Sequence, residues 1–158
     1  MEETPAVVAA RAAGIGFDIV GTDRPNTAEE SARLQGISLR QLLRSIVIRR
    51  GTDDYLFVLV PGGRQIDWPK LRAELGVSRL SLPTKDEAQA ATGYERGAIT
   101  PFGAASPWPV IVDVRALDEV RVAVGGGARG VNLHLAPGDL VAATDATVAD
   151  VTKLEEAS

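Results

Sequence analysis

The segment Gly97–Gly103 constrains the fold of this chain more than any other stretch of its sequence. Its two end glycines enclose a Thr-Pro-Phe core and separate a helix-like segment from a strongly apolar one. Pro101 fixes its own φ and drives Thr100 towards an extended conformation, whereas glycine permits a positive φ or the close approach of another group. The pattern therefore predicts a fixed turn. On composition alone, an ordinary tight turn is the more frequent explanation of such a segment.

A second glycine cluster, Gly125-Gly126-Gly127, follows the next pair of predicted strands. Both turns could present backbone N–H groups to one ligand. Gly125–Gly130 also matches the G-x-G-x-x-G pattern of dinucleotide-binding sites, which requires a helix immediately after the glycines. Because Val131–Leu135 alternates like a strand, we reject that interpretation.

Capping residues predict the helices. Thr27 precedes Glu30 by three residues and Thr84 precedes Glu87 by three, which is the spacing of a capping box. Pro69 after Asp67 is typical of a first helical turn. The predicted helices span 4–13, 27–34, 38–43, 67–75 and 84–92, and a short helical turn opens at 137–140.

Apolar and β-branched runs predict the strands. Tyr55–Val60 is apolar throughout and follows Ile46–Ile48 across turn residues 51–54, so the two form a predicted hairpin buried on both faces. The tail beyond Val151 is polar and predicted to fray. Irregular alternation of helices and strands favours a single α+β domain, residues 1–158, with a mixed sheet. The other predicted strands span 17–20, 79–82, 110–114, 119–124 and 131–135.

Composition removes several kinds of chemistry. The chain has no cysteine, so disulfides and thiolate nucleophiles are excluded, and His134 is its only histidine. A histidine-based metal site needs more ligands than one histidine. A serine triad would have to use His134, but the sequence contains no G-x-S-x-G nucleophile elbow. His134 is therefore predicted to be structural or exposed, and we expect no metal and no cofactor.

Charge and hydropathy bear on partners and location. The net charge of −4 argues against nucleic acid held by bulk electrostatics, although residues 40–72 carry seven basic and three acidic side chains. A solvated face explains such a basic stretch more often than a phosphate site does. The longest apolar run, near Leu56–Val60, is too short to span a bilayer, and the N-terminus is acidic, unlike a signal peptide. We expect a cytoplasmic protein without a membrane partner.

Taken in order, several segments resemble the YbaK/ProX family of freestanding aminoacyl-tRNA deacylases, which are similar to the editing insertion domain of bacterial prolyl-tRNA synthetases. The resemblance covers about residues 15–145, which leaves the N-terminal helix and the C-terminal tail peripheral. It implies a mixed, strongly curved β-sheet flanked by helices. The segments that carry it are Thr27 with its helix, Leu42–Ile48, Leu59–Gly62, Thr100–Gly103, Gly125–Gly127 and Pro137–Leu140.

The resemblance implies hydrolysis, without a metal, of the ester between a wrong amino acid and the 3′ end of a tRNA. Backbone N–H groups of the two glycine turns are the natural oxyanion donors, and a nearby cation would hold phosphate or developing charge. The implied partners are aminoacyl-tRNA and an aminoacyl-tRNA synthetase. The implied catalytic residues are Arg44, Gly97, Thr100, Pro101 and Gly103, and the implied substrate-binding residues are Thr27, Ile46, Phe102, Gly125, Gly126 and Gly127.

One position departs from the family. Where the family has its characteristic lysine, this sequence has Arg44, which keeps the positive charge but does not act as a base. Three alternatives remain open: a noncatalytic module that binds an aminoacyl-tRNA end or partners a synthetase, a hydrolase of another small ester, and an Arg44 that is only a surface residue after the 38–43 helix.

Overall fold

Residues 3–156 are described by the structure, which is a computed structural model. The helices begin where the sequence predicts, because side-chain oxygens of Thr27 and Thr84 accept the N–H groups of Glu30 and Glu87. Within the described residues no helix is long and apolar enough to cross a membrane. The α-helices are α1 Pro5–Ala12, α2 Ala28–Gln35, α3 Trp68–Leu75, α4 Lys85–Thr92 and α5 Pro137–Thr144, and 3₁₀ turns cover Leu39–Gln41 and Val114–Asp118.

The strands are β1 Asp18–Gly21, β2 Leu43–Gly51, β3 Asp54–Pro61, β4 Arg64–Ile66, β5 Val110–Asp113, β6 Val122–Gly125, β7 Val131–Leu135, β8 Thr147–Ala149 and β9 Thr152–Leu154. They form three sheets. One is antiparallel, in the order β1-β7-β6. The second, β2-β3-β5-β8, is mixed, because β2 runs antiparallel to β3 whereas β5 and β8 continue in parallel. The third is the antiparallel pair β4-β9.

β3 lies at the centre of the packing. Phe57 and Leu59 face a core shared with the three-stranded sheet and α1, and Val58 faces a second core under α3. Full burial of each such side chain contributes about 1.5–3 kcal/mol to the free energy that stabilises the folded state. The predicted two-sided burial of this strand is confirmed, as are the hairpin, the mixed sheet and the α+β class.

β2 joins the two larger sheets. Leu42, just before the strand, forms a parallel bridge with Ala123 of β6, while Leu43 pairs with Pro61 of β3. The predicted helix 38–43 is therefore wrong beyond a single 3₁₀ turn. Sheet pairing at Leu42 and Leu43 overrides the local helical pattern, and it leaves the start of β2 at the seam between the sheets.

Four further local predictions differ from the structure. Residues 79–82 form one isolated bridge, Ser81 to Arg49, and not a strand. The 110–114 strand ends at Asp113, whose carboxylate accepts the Arg115 N–H and starts a 3₁₀ turn, and the 119–124 strand begins only at Val122. The tail does not fray at once, because β9 pairs with β4 and Thr152 donates to the buried Asp113.

Candidate active site

A cavity of about 720 Å³ opens at the seam between the two larger sheets. Its walls come from the start of β2, from the loop that leads into α2, and from the turns that contain Gly97 and Gly125. The loop before α4 closes another side. The lining residues are 22, 24–28, 31, 42–47, 82, 83, 88, 96, 97, 99, 125 and 129–132.

All charged side chains that line the cavity are positive. There are four of them, all arginines, and no aspartate or glutamate is among the lining residues. The chain as a whole carries a net charge of −4, so the charge of the cavity wall is opposite to that of the molecule. Such a wall attracts anionic ligands, and guanidinium groups bind phosphate and carboxylate well. The arginines are Arg24, Arg44, Arg96 and Arg129.

The two glycine turns touch each other at this cavity. A Cβ atom on Gly125 would lie 2.8 Å from the carbonyl oxygen of Ile99, so only glycine permits this approach. Gly97 has a φ of 94°, and a Cβ atom there would lie 3.4 Å from Nε of Arg129. The contact places Gly97, Ile99 and Gly125 on one wall.

The remaining residues of the Gly97–Gly103 turn lie outside the cavity and attach the turn to the core. Thr100 is fully buried, and the Tyr94 hydroxyl donates to the carbonyl of Phe102 at 2.7 Å. Gly103 packs on the Pro5 carbonyl of α1. Pro101 is half-buried and likewise does not line the cavity.

Gly126 and Gly127 also lie outside the cavity and attach the second turn to neighbouring elements. The Gly126 N–H donates to Val131, its carbonyl accepts from the Thr4 hydroxyl at 2.5 Å, and Gly127 packs against Tyr94. Of the eleven predicted site residues, the structure thus brings five together at the cavity. They are Thr27, Arg44, Ile46, Gly97 and Gly125.

Arg44 reaches from the cavity wall towards the small β4-β9 sheet. One terminal nitrogen donates to the carbonyl of Arg64 at 2.5 Å and lies 3.5 Å from the carboxylate of Glu155. Its Nε is buried and has no hydrogen-bond partner among the described residues. The side chain is 39% exposed and lines the cavity.

Sequence reasoning missed two hydroxyl groups on the cavity wall. Oγ1 of Thr22 and Oγ of Ser45 are both buried without a hydrogen-bond partner among residues 3–156. Unpartnered buried hydroxyls are costly, and a bound ligand would satisfy them. The sequence gives little signal for Ser45, because strand alternation turns it to the face opposite Arg44.

His134 lies away from the cavity and has a structural contact. Its Nε2 is 2.8 Å from Oε1 of Gln35, which ties β7 to α2. Burial and the nearby Arg121 guanidinium lower the pKa of His134 below its ordinary value. No cluster of three potential metal-ligating side chains occurs in the described part of the chain.

The fold and the cavity define an α+β domain with a basic, glycine-walled ligand site. Residues 24–143 match the family described as the aminoacyl-tRNA editing domain, and the chain belongs to that family.

Relatives agree with this assignment. One relative is a protein of Enterococcus faecalis, provisionally named Cys-tRNA(Pro)/Cys-tRNA(Cys) deacylase EbsC. It is 26% identical to this chain, and the match covers 82% of this chain and 79% of the relative's length. A proline–tRNA ligase of Xanthomonas campestris is 30% identical over 77% of this chain but only 22% of its own length. The matches to two proline–tRNA ligases of Thermosipho species likewise cover only 15% of the length of those ligases.

A solved structure described provisionally as a trans-editing enzyme for prolyl tRNA synthetase superposes with a TM-score of 0.86 at 28% identity. The superposition covers 97% of this chain and 99% of that one. The predicted function and class of enzyme, aminoacyl-tRNA editing by a deacylase, are confirmed by the family match and by these relatives.

Proposed function

We propose that the cavity holds the 3′ aminoacyl-adenosine end of a mischarged tRNA while water hydrolyses the ester without a metal. The observation that carries this proposal is the meeting of two glycine turns at a cavity lined by four arginines and no acid. Aminoacyl-tRNA occurs in the cytoplasm, which agrees with the expected location. An aminoacyl-tRNA synthetase is the proposed protein partner, because several relatives are proline–tRNA ligases.

The size of the cavity supports a ligand of this class. Its volume of about 720 Å³ lies inside the range of roughly 300–1,000 Å³ typical of small-molecule sites. An amino acid esterified to a ribose occupies only part of such a volume, which leaves room for the attacking water and for the adjoining adenine. The phosphates of the terminal nucleotides would then face the arginines on the rim.

Free backbone donors support the chemistry. The N–H groups of Gly97 and Ile99 donate to no acceptor among residues 3–156, whereas those of Ala98 and Gly126 are already bonded to carbonyls. Two preorganised N–H donors beside a reacting carbonyl stabilise the oxyanion that develops there. In the proposed reaction water adds to the ester carbonyl, the bond to the ribose oxygen breaks, and a proton passes to that oxygen.

The side chains then have distinct roles. Arg44 provides positive charge for the terminal phosphate or the developing oxyanion, in place of the family lysine. The hydroxyls of Thr22 and Ser45 hydrogen-bond polar groups of the aminoacyl-ribose. Thr27 has a different task, because its hydroxyl already accepts the Glu30 N–H at 3.0 Å and fixes the first turn of α2 against the cavity.

The direct test is loss of the ester from mischarged tRNA. Purified protein is incubated with alanyl and cysteinyl esters of noncognate tRNAs, and the remaining aminoacyl-tRNA is followed over time beside a buffer control. We expect at least one substrate to be hydrolysed well above the buffer rate, with a correctly charged tRNA spared. No acceleration across the panel would contradict the proposal.

A noncatalytic binding module is the second candidate. The observation that favours it is the guanidinium of Arg44, which is partly occupied by the Arg64 carbonyl and Glu155. In that case the protein binds tRNA without turnover, and Arg44→Lys does not produce hydrolysis. Hydrolysis by either form would exclude this candidate.

A further inference from the structure

A second basic cavity lies beside the first. It has a volume of about 440 Å³, and four of its eight lining residues are arginines whereas none is acidic. We call it the arginine groove. Its lining residues are Arg49, Arg50, Gly51, Arg72, Ser78, Arg79, Leu80 and Ser81.

The arginine groove has a surplus of positive charge. Arg49 lies 3.6 Å from Glu87 and Arg50 lies 3.1 Å from Asp54, so these two charges are partly compensated. Arg72 and Arg79 make no ion pair within residues 3–156. Two guanidinium groups therefore remain available to an external anion, and the serine hydroxyls beside them add hydrogen-bond donors.

The groove and the active-site cavity are lined by consecutive parts of the same two segments. Residues 42–47 of β2 line the cavity and residues 49–51 line the groove, and the 78–83 segment is divided between them in the same way. Arg44 and Arg50 are six residues apart on β2, which corresponds to about 20 Å at 3.3 Å per residue. A polymer that enters the cavity by one end would reach the groove after a few monomers.

Resting on the proposed function, we infer that the arginine groove binds backbone phosphates of the tRNA acceptor strand upstream of the esterified end. Arginines line both the cavity proposed for the 3′ end and the groove next to it, so successive phosphates of one strand have cationic partners in both. A groove that tracks the backbone positions the strand without reading its sequence. Because the net charge of the chain is −4, this attraction depends on the local positive charge of the groove.

The test compares two substrates that share one ester. One is a full-length mischarged tRNA, and the other is the same amino acid esterified to adenosine alone, which has no upstream phosphate to reach the groove. The variant Arg72→Gln/Arg79→Gln removes the two free charges. The control Arg11→Gln/Arg40→Gln also removes two charges, from residues paired with Glu3 and Glu119 outside both cavities.

We expect the Arg72→Gln/Arg79→Gln variant to lose about tenfold in kcat/KM for full-length tRNA, through KM, since each phosphate contact contributes roughly 0.7–0.9 to the salt exponent. The slope of log kcat/KM against log salt becomes less steep by about 1.5. Hydrolysis of the aminoacyl-adenosine ester stays at the wild-type rate, and the control variant retains both rates.

Other outcomes overturn the inference and identify which part failed. Wild-type protein that hydrolyses neither ester refutes the proposed function, and the groove assignment falls with it. Hydrolysis of both, with the groove variant equal to the control, refutes the groove alone. Loss of both rates in the variant assigns the two arginines to folding or to the ester site. A loss seen only in the presence of a synthetase assigns the groove to a protein partner.

Discussion

Arg44 illustrates what residue-level reasoning could and could not provide. Its position before an apolar strand, with the resemblance, predicts a place at the site, and the structure puts it on the cavity wall. Its contact with the Arg64 carbonyl depends on β4, a strand that the sequence does not reveal. Ser45 was missed because alternation along β2 separates it from Arg44, whereas the cavity wraps around the start of that strand.

The role of Arg44 is tested by two substitutions. We expect Arg44→Ala to reduce kcat/KM for mischarged tRNA by about 10²–10³, the usual effect of removing one electrostatic contact to a developing charge. Arg44→Lys keeps the charge and should retain or raise the activity. Thermal unfolding of each variant provides the control for stability. Equal activity in all three proteins would remove Arg44 from the mechanism.

At the level of elements, helices were easier to predict than strands. Caps are local signals, so Thr27, Asp67 and Thr84 fix helix starts with nearby partners. The strands β4, β8 and β9 have three residues each, too few for an alternating pattern, and they pair with segments far away in the chain. Only the tertiary fold brings those partners together.

The contact between α2 and β7 predicts a pH effect on stability. The pKa of His134 is lowered in the native state, so the unfolded chain binds more protons below about pH 6.5. The contribution of His134 to the free energy of unfolding should therefore be fully present above pH 6.5. It should be lost as the pH falls through the lowered native pKa. Urea unfolding at several pH values measures this decrease.

The matched variant for this prediction is His134→Gln, which keeps a hydrogen-bonding side chain opposite Gln35 but does not titrate. The part of the pH dependence that begins near 6.5 should be absent from this variant. If wild type and His134→Gln respond identically between pH 7 and 5, proton uptake by His134 has no effect on the stability of the fold.

At the scale of the whole molecule, net charge alone is misleading. A value of −4 argues against nucleic acid, yet the two adjacent cavities are lined by eight arginines and by no acidic residue. The sequence shows the basic bias of residues 40–72 but not its continuation through Arg24, Arg96 and Arg129. Those residues reach the site only because the two glycine turns and the α2 loop meet at the seam between sheets.

The central claim is that the aminoacyl-ribose end binds where the two glycine turns meet. A crystal structure with 3′-alanylamino-adenosine, in which an amide replaces the labile ester, tests this most directly. We predict the ligand in the 720 Å³ cavity, with its carbonyl oxygen in hydrogen-bond distance of the N–H groups of Gly97 and Ile99. A ligand bound elsewhere, or bound there with that oxygen directed away from both N–H groups, would contradict the account.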